Sequence, residues 1–196
     1  DRLKIDMMLS QIQPHFIYNS LATISALCDF DPRLAQDAVE RFSSYLKMNL
    51  YSIKCKDNIT FDKELEHIQT YLWLEQLRFD NRLKINYDIQ CSSFQVPPLS
   101  VQPIVENAVK HGICPKPEGG EITISSKQTD KEYIITVKDN GVGFSLDALK
   151  NDGKVHIGTS SVKDRIQYLC HGSVTINSEI NKGTTVTICI PKKRTK

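Results

Sequence analysis

The hydrophobic pattern changes once along the chain, and this change limits the folds open to it. Over residues 3–54, apolar side chains recur every three or four positions, which predicts helices at 3–28 and 32–54. Asp31 supplies a capping carboxylate and Pro32 suits a first helical position. Because the connection is short, we expect the two helices to form an antiparallel hairpin.

One helical hairpin has too little surface to bury two apolar stripes. A second copy would supply the missing partner, so residues 1–56 are predicted to form a four-helix bundle in a homodimer. The polar stretch CKDN at 55–58 ends the hairpin, and residues 57–196 are predicted to form the second domain.

Residues 57–196 mix helical periodicity with two-residue alternation and end in strands joined by a turn. This pattern favours an α+β domain in which helices cover one face of a sheet. The helices are predicted at 62–79, 98–111 and 158–171, and the strands at 83–90, 121–128, 132–138, 173–179 and 184–190.

The composition is that of an ordinary soluble globular protein, with 40% apolar and 24% charged residues. A formal net charge of +2 does not indicate a nucleic-acid partner. The six cysteines form no C-x-x-C pair, so neither a metal centre nor a disulfide framework is predicted. No apolar run approaches the ~20 residues of a membrane span. Since the chain starts without Met inside a helical pattern, we interpret it as part of a longer protein.

Three polar residues near the end of the helix predicted at 98–111 fall on one helical face, namely Asn107, Lys110 and His111. The amide oxygen of Asn107 suits Mg²⁺, and Lys110 suits a phosphate. The alternative is a solvated helix face that ends at Gly112, and this motif alone does not separate the two.

Two glycine-containing turns offer candidate adenine contacts. Asp139 directly follows a predicted strand, and its carboxylate is suited to the exocyclic amino group of adenine. Gly141 and Gly143 permit close approach of a ligand to the backbone. Thr184, next to Gly183, offers a hydroxyl for a second contact. An ordinary hairpin turn and an ordinary strand explain the same residues.

A proline stands directly before a histidine inside the first helical pattern. Pro14 removes a backbone hydrogen bond at a cost of ~3 kcal/mol, which calls for an explanation. His15 lies on the rim of the apolar stripe, where a second domain can reach it. The alternative is a helix kink with an incidental histidine.

Taken in order, these motifs resemble the LytS/YesM type of sensor histidine kinase, with a GHKL (Bergerat-type) ATP-binding fold. The resemblance covers nearly the whole chain, and five ordered matches are far more specific than any single one. Residues 11–19 resemble the phosphoacceptor motif, 98–112 the N box, 139–143 the G1 box, 162–172 the helix after the ATP lid, and 178–191 the closing hairpin.

The resemblance implies transfer of the γ-phosphoryl group of ATP to a ring nitrogen of His15. The phosphoryl group then passes to an aspartate in the receiver domain of a response regulator. Asn19 or Gln11 would accept a hydrogen bond from the other ring nitrogen, and Glu106 would bind the departing proton or orient water. The resemblance also implies a parent protein anchored in a bacterial plasma membrane, with this region on the cytoplasmic side.

The implied nucleotide site has eight residues, and residues 144–158 would form its lid. They are Asn107 for Mg²⁺, Lys110 and His111 for the phosphates or ribose, Asp139 and Thr184 for adenine, and Gly141, Gly143 and Gly158 for close backbone approach.

Three positions depart from the usual pattern of histidine kinases. The end of the lid reads HIGT at 156–159, so that His156 replaces a glycine. Phe16 stands where other histidine kinases carry an acid, and Pro103 where they carry a second asparagine. The His156 departure favours an alternative function, a weak or inactive nucleotide-binding scaffold. An ATPase or serine kinase of this fold would leave the Pro14–His15 pair unexplained.

Overall fold

The computed structural model describes residues 14–54, 57–145 and 156–192, without the side chains of 53, 54, 81 and 156–161. Two helices come first, and a mixed five-stranded sheet with helices follows. The α+β class predicted from the sequence is therefore confirmed.

The hairpin consists of α1, Pro14–Phe30, and α2, Pro32–Lys54. The carboxylate of Asp31 accepts a hydrogen bond from the backbone N–H of Leu34 at 3.0 Å, as its predicted capping role requires. The earlier part of the predicted first helix, with Gln11, lies outside the described residues. Within those ranges, no helix combines the length and apolarity needed to cross a bilayer.

The sheet is mixed because one of its strand pairs is parallel. Its strands are β2 (Leu83–Ile89), β4 (Gly120–Gln128), β5 (Glu132–Asp139), β6 (Ser173–Glu179) and β7 (Gly183–Pro191). The order is β2-β4-β5-β7-β6, and only β2 and β4 run parallel. Alternate residues such as Ile122 and Ile124 of β4 are fully buried, since successive side chains of a strand point to opposite faces.

Helix α3, Phe61–Phe79, joins the hairpin to the sheet. It packs against α1 and α2 as well as against β2. Phe16 of α1 lies 4.8 Å from Tyr45 of α2 and 4.9 Å from Tyr71 of α3, measured between ring centroids. One apolar core therefore runs from the hairpin into the sheet domain, and the boundary at residue 56 stays a prediction. Two short paired strands, β1 (Ile59–Thr60) and β3 (Gln95–Val96), were not predicted.

The helix predicted at 98–111 is wrong in its start and in its winding. α4 covers only Gln102–Asn107, and a π-helical segment follows at Ala108–Ile113. A turn precedes α4, and the carboxylate of Glu64, which is 1% exposed, accepts its N–H groups. Leu99 and Val101 donate at 3.0 Å, and Gln102 donates at 3.2 Å. The local sequence pattern could not indicate this turn, because the carboxylate that stabilises it lies 35 residues earlier in the chain.

Helix α5, His156–Cys170, starts two residues earlier than predicted. His156 and Gly158 therefore lie in its first turn, and residues 146–155 of the predicted lid lie outside the described ranges. Arg165 anchors α5 to the turn before α4, because its guanidinium donates to the carbonyl oxygens of Pro98 at 2.6 Å and Leu99 at 3.1 Å.

Candidate functional site

Asp139 ends strand β5 with its side chain buried, at 4% exposure. Its Oδ1 accepts backbone N–H groups from Gly141 at 2.9 Å and Thr184 at 3.3 Å. Burial raises the pKa of this carboxyl, and the two N–H groups oppose that shift. Because both of these bonds end on Oδ1, the arrangement suits Oδ2 to an amino donor on a ligand.

The turn after Asp139 is built on glycines that leave no room for a side chain. A Cβ on Gly141 would lie 2.2 Å from the carbonyl carbon of Gly112, and Gly143 has a φ of +59°. The N–H of Val142 donates to the carbonyl of Gly112 at 3.0 Å, which ties the turn to the π-helical segment. At Gly141 and Gly143 it is therefore the protein's own backbone that approaches closely, and the predicted approach of a ligand stays a prediction.

Thr184 lies beside the same carboxylate, at the start of β7. Its hydroxyl is 2.9 Å from the hydroxyl of Ser178, and Ser178 also accepts the N–H of Phe144 at 3.0 Å. Ser178 therefore connects Thr184 to the first residue of the predicted lid, a link that the sequence pattern did not indicate.

Asn107, Lys110 and His111 lie at the junction of α4 and the π-helical segment. Asn107 is half-buried, and the other two are exposed. In π winding the N–H of residue i+5 bonds the carbonyl of residue i, as Cys114 does with Val109 at 2.8 Å. The α-helical spacing on which the sequence argument relied therefore does not apply to this segment. Burial and the charge of Lys110 lower the pKa of His111.

His15 lies in the first turn of the described part of α1 and is exposed. Together with Lys110 it lines a cavity of about 20 Å³. The walls come from three elements, with Phe16 from α1, Tyr71, Glu75 and Arg78 from α3, and Val109 and Cys114 from the π-helical segment and its end. The fold thus brings the predicted phosphoacceptor next to a predicted phosphate-binding lysine of the same chain.

Asn19 contacts His15, one helical turn away. Its amide nitrogen lies 3.1 Å from Nδ1 of the ring. An amide nitrogen donates, so in this arrangement Asn19 donates to the ring, whereas the sequence analysis expected it to accept. The two residues are therefore paired as predicted, but the hydrogen bond between them runs in the opposite direction.

Glu106 is not among the residues that line the His15 cavity, and it lies in a buried polar network between α4 and α2. Its Oε1 accepts from Gln102 at 2.7 Å and from the hydroxyl of Tyr45 at 3.2 Å. These contacts connect the sheet domain with the hairpin, and a role for Glu106 in proton transfer stays a prediction. Glu75, which does line the cavity, was missed because it lies in no motif singled out by the sequence.

Family models match most of the chain. Residues 3–83 match the histidine kinase model, and residues 99–194 match the model of histidine kinase-, DNA gyrase B- and HSP90-like ATPases.

Individual relatives agree with these matches. The uncharacterized protein YwpD of Bacillus subtilis is 37% identical over 96% of this chain and 70% of its own length. The sensor protein LytS of Bacillus anthracis is 34% identical over 97% of this chain. The chain spans only 34% of the length of that LytS protein.

A solved structure shares the fold. The histidine kinase domain of the blue-light activated histidine kinase of Erythrobacter litoralis superposes with a TM-score of 0.55 at 15% identity. The match covers 91% of this chain and 94% of that domain. At this identity the likeness concerns the fold alone, and the sequence matches carry the assignment: the chain belongs to the histidine kinase family.

Proposed function

We propose that the chain binds Mg-ATP and transfers its γ-phosphoryl group to His15, from which it passes to an aspartate in a response regulator receiver domain. The observation that carries this proposal is the shared cavity of His15 and Lys110. A lysine ammonium is a point charge suited to a phosphate group, so a candidate phosphate contact lines the same cavity as the proposed acceptor.

The adenine would bind at Asp139, with Oδ2 accepting from its amino group. Thr184 would make a second contact, and Gly141 and Gly143 would let the backbone approach the base. Asn107 would give one oxygen ligand to Mg²⁺, which usually keeps several waters and binds substrate phosphates rather than an all-protein cage. The ion would neutralise charge on the phosphates.

The cavity beside His15 has room for about one water molecule. A γ-phosphoryl group would therefore enter only when α1 and the π-helical segment move slightly apart. Phosphoryl transfer depends mainly on positioning and charge neutralisation. We therefore expect the packing of the hairpin on the sheet domain to set the rate of the reaction.

Incubation with γ-labelled ATP tests the reaction. We expect an acid-labile, base-stable label that is lost in His15→Gln and kept in the matched surface variant His171→Asn. A scaffold would bind nucleotide without becoming labelled. An ATPase would release phosphate, and a serine kinase would give an acid-stable label.

The hairpin is proposed to dimerise the chain. It exposes large apolar side chains, among them Leu21 at 49%, Phe30 at 87% and Val39 at 51% exposure. Such a surface suits a second copy of the hairpin. Sedimentation should show a dimer at micromolar concentration that is lost when the hairpin is deleted, and a monomer in both cases would contradict the proposal. Attachment to a membrane through a region outside this chain is part of the same proposal and rests on the resemblance to LytS/YesM sensor kinases.

A further inference from the structure

A buried carboxylate lies beside His15 in a position that no motif indicates. Glu75 of α3 is 3% exposed and lines the small cavity together with His15 and Lys110. It reaches this place because α3 packs against α1. An acid that is distant in sequence thus shares the surroundings of the phosphoacceptor.

Arg78 fixes this carboxylate. Its guanidinium donates to Oε2 of Glu75, one helical turn away, and lies 4.2 Å from the ring centroid of Phe79. Burial raises the pKa of Glu75, whereas the hydrogen bond and charge of Arg78, followed by the charge of His15, act in the opposite direction. The other titratable side chains that line the cavity are Lys110, Tyr71 and Cys114.

Two other positions at which an acid is expected place no carboxylate in the cavity lining. The next residue along the chain is Phe16, which is 3% exposed and packs its ring against Tyr45 and Tyr71. The side chain at this position packs in the core, and phenylalanine offers no carboxylate. Glu106 accepts from Gln102 and Tyr45. Among the residues that line the cavity, Glu75 supplies the carboxylate.

We propose that Glu75, held by Arg78, is the positioning residue that orients the His15 ring and balances its charge during phosphoryl transfer. This inference rests on the proposed kinase function. In the step, the lone pair of one ring nitrogen forms a bond to the γ-phosphorus. The bond from that phosphorus to the β–γ bridging oxygen breaks, and its electron pair leaves with ADP. The other ring nitrogen keeps its proton during the transfer, so the ring becomes positively charged near the carboxylate of Glu75. That proton then leaves to solvent, which gives the neutral phosphohistidine.

Glu75→Gln tests the proposal, because glutamine keeps the shape and removes the charge. Glu66→Gln is the matched control, since Glu66 is an exposed glutamate on the same helix. Three quantities are measured on each variant, namely the labelling rate of His15 at saturating ATP, the nucleotide affinity by calorimetry, and the ¹⁵N shifts of the His15 ring. We expect Glu75→Gln to slow labelling about ten- to a hundredfold, to leave affinity unchanged and to alter the tautomer balance of the ring. Glu75→Asp should recover part of the rate.

Two results would overturn the inference. One is an unchanged labelling rate and ring tautomer in Glu75→Gln, which leaves the kinase function standing. The other is a slower labelling rate in Glu75→Gln that is fully explained by a loss of stability or of nucleotide affinity in the same variant. That result would show a structural role for Glu75. If the wild-type chain carries no acid-labile label, the kinase proposal fails, and the ring shifts alone then decide whether Glu75 orients His15.

Discussion

The two ends of the proposed site are built in different ways. At the Asp139 end, one buried carboxylate binds backbone N–H groups of a turn and a strand, and glycines let the neighbouring backbone segments lie close together. At the His15 end, side chains from α1, α3 and the π-helical segment meet around a small cavity. The close contacts at the Asp139 end would fix the position of a bound base. The side-chain packing at the His15 end would allow the helices there to move.

The rigid end is suited to binding a nucleotide, and the movable end is suited to phosphoryl transfer. A nucleotide needs a preformed pocket, because every group ordered on binding costs affinity. A phosphoacceptor must approach the nucleotide and then give the phosphoryl group to another protein, so a rigid enclosure would hinder it. We therefore expect substitutions at the first end to affect folding and binding, and substitutions at the second end to affect rate.

The largest effect is expected for Gly183→Ala at the rigid end. The backbone of Gly183 has a φ of +98°, and a Cβ there would lie 2.1 Å from the carbonyl oxygen of Asp139. Strain and overpacking together should lower the free energy of unfolding by about 3 kcal/mol or more, measured by urea denaturation. Thr185→Ala on the same strand is the control. A loss no larger than that of the control would show that this end is not rigid.

The packing of α3 on the hairpin should respond to pH through His67 of α3, which contacts Tyr45 and Asn49 of α2. Burial lowers the pKa of His67 to about 4, compared with ~6.5 in an unfolded chain. A depressed folded pKa adds stability that is present above pH ~6.5 and is lost as the pH falls toward 4, in total about 3 kcal/mol.

The buried carboxyls Glu64, Glu75 and Asp139 have raised pKa values and give the opposite trend. The measurement is therefore the difference in unfolding free energy between the wild type and His67→Gln at several pH values. A difference that does not change between pH 7 and pH 4 would mean that His67 is not buried as described.

Asp139→Asn should weaken nucleotide binding without disturbing the His15 end. The exchange places an amide where the adenine amino group needs an acceptor, at a cost of about 1–3 kcal/mol, or roughly ten- to a hundredfold in affinity. Calorimetry with ADP measures this loss, and Asp130→Asn in the exposed turn between β4 and β5 is the matched control. Equal affinity in the two variants would remove Asp139 from the site.

The smallest effect is expected for Asn19→Ala at the movable end. Asn19 makes an exposed hydrogen bond to the His15 ring, and such bonds contribute about 0.5–1.5 kcal/mol. Labelling of His15 should slow a few-fold at most, with unchanged nucleotide affinity. Ser25→Ala, an exposed position on the same helix, should have no effect. A large loss of affinity in Asn19→Ala would mean that the two ends are coupled.

The predictions from the sequence succeeded where a local pattern was sufficient. The end of α1, both bounds of α2 and α3, and the five strands of the main sheet lie within two residues of their predicted positions, and the predicted start of α1 lies outside the described residues. They failed at residues 98–111, where the buried carboxylate of Glu64 replaces a helical turn and the winding becomes π. The short β1–β3 pair was missed because a strand of two residues is too short to show an alternation of apolar and polar side chains.

The sequence by itself determined the α+β class, and it predicted the residues of the proposed nucleotide end, because glycine spacing and a carboxylate after a strand are local features. Only the tertiary structure decided what surrounds His15. Glu75 and Arg78 lie about sixty residues further along the chain, and they reach the histidine through the packing of α1 on α3. Contacts of this kind depend on how separate helices bury their apolar faces together, which no single segment encodes.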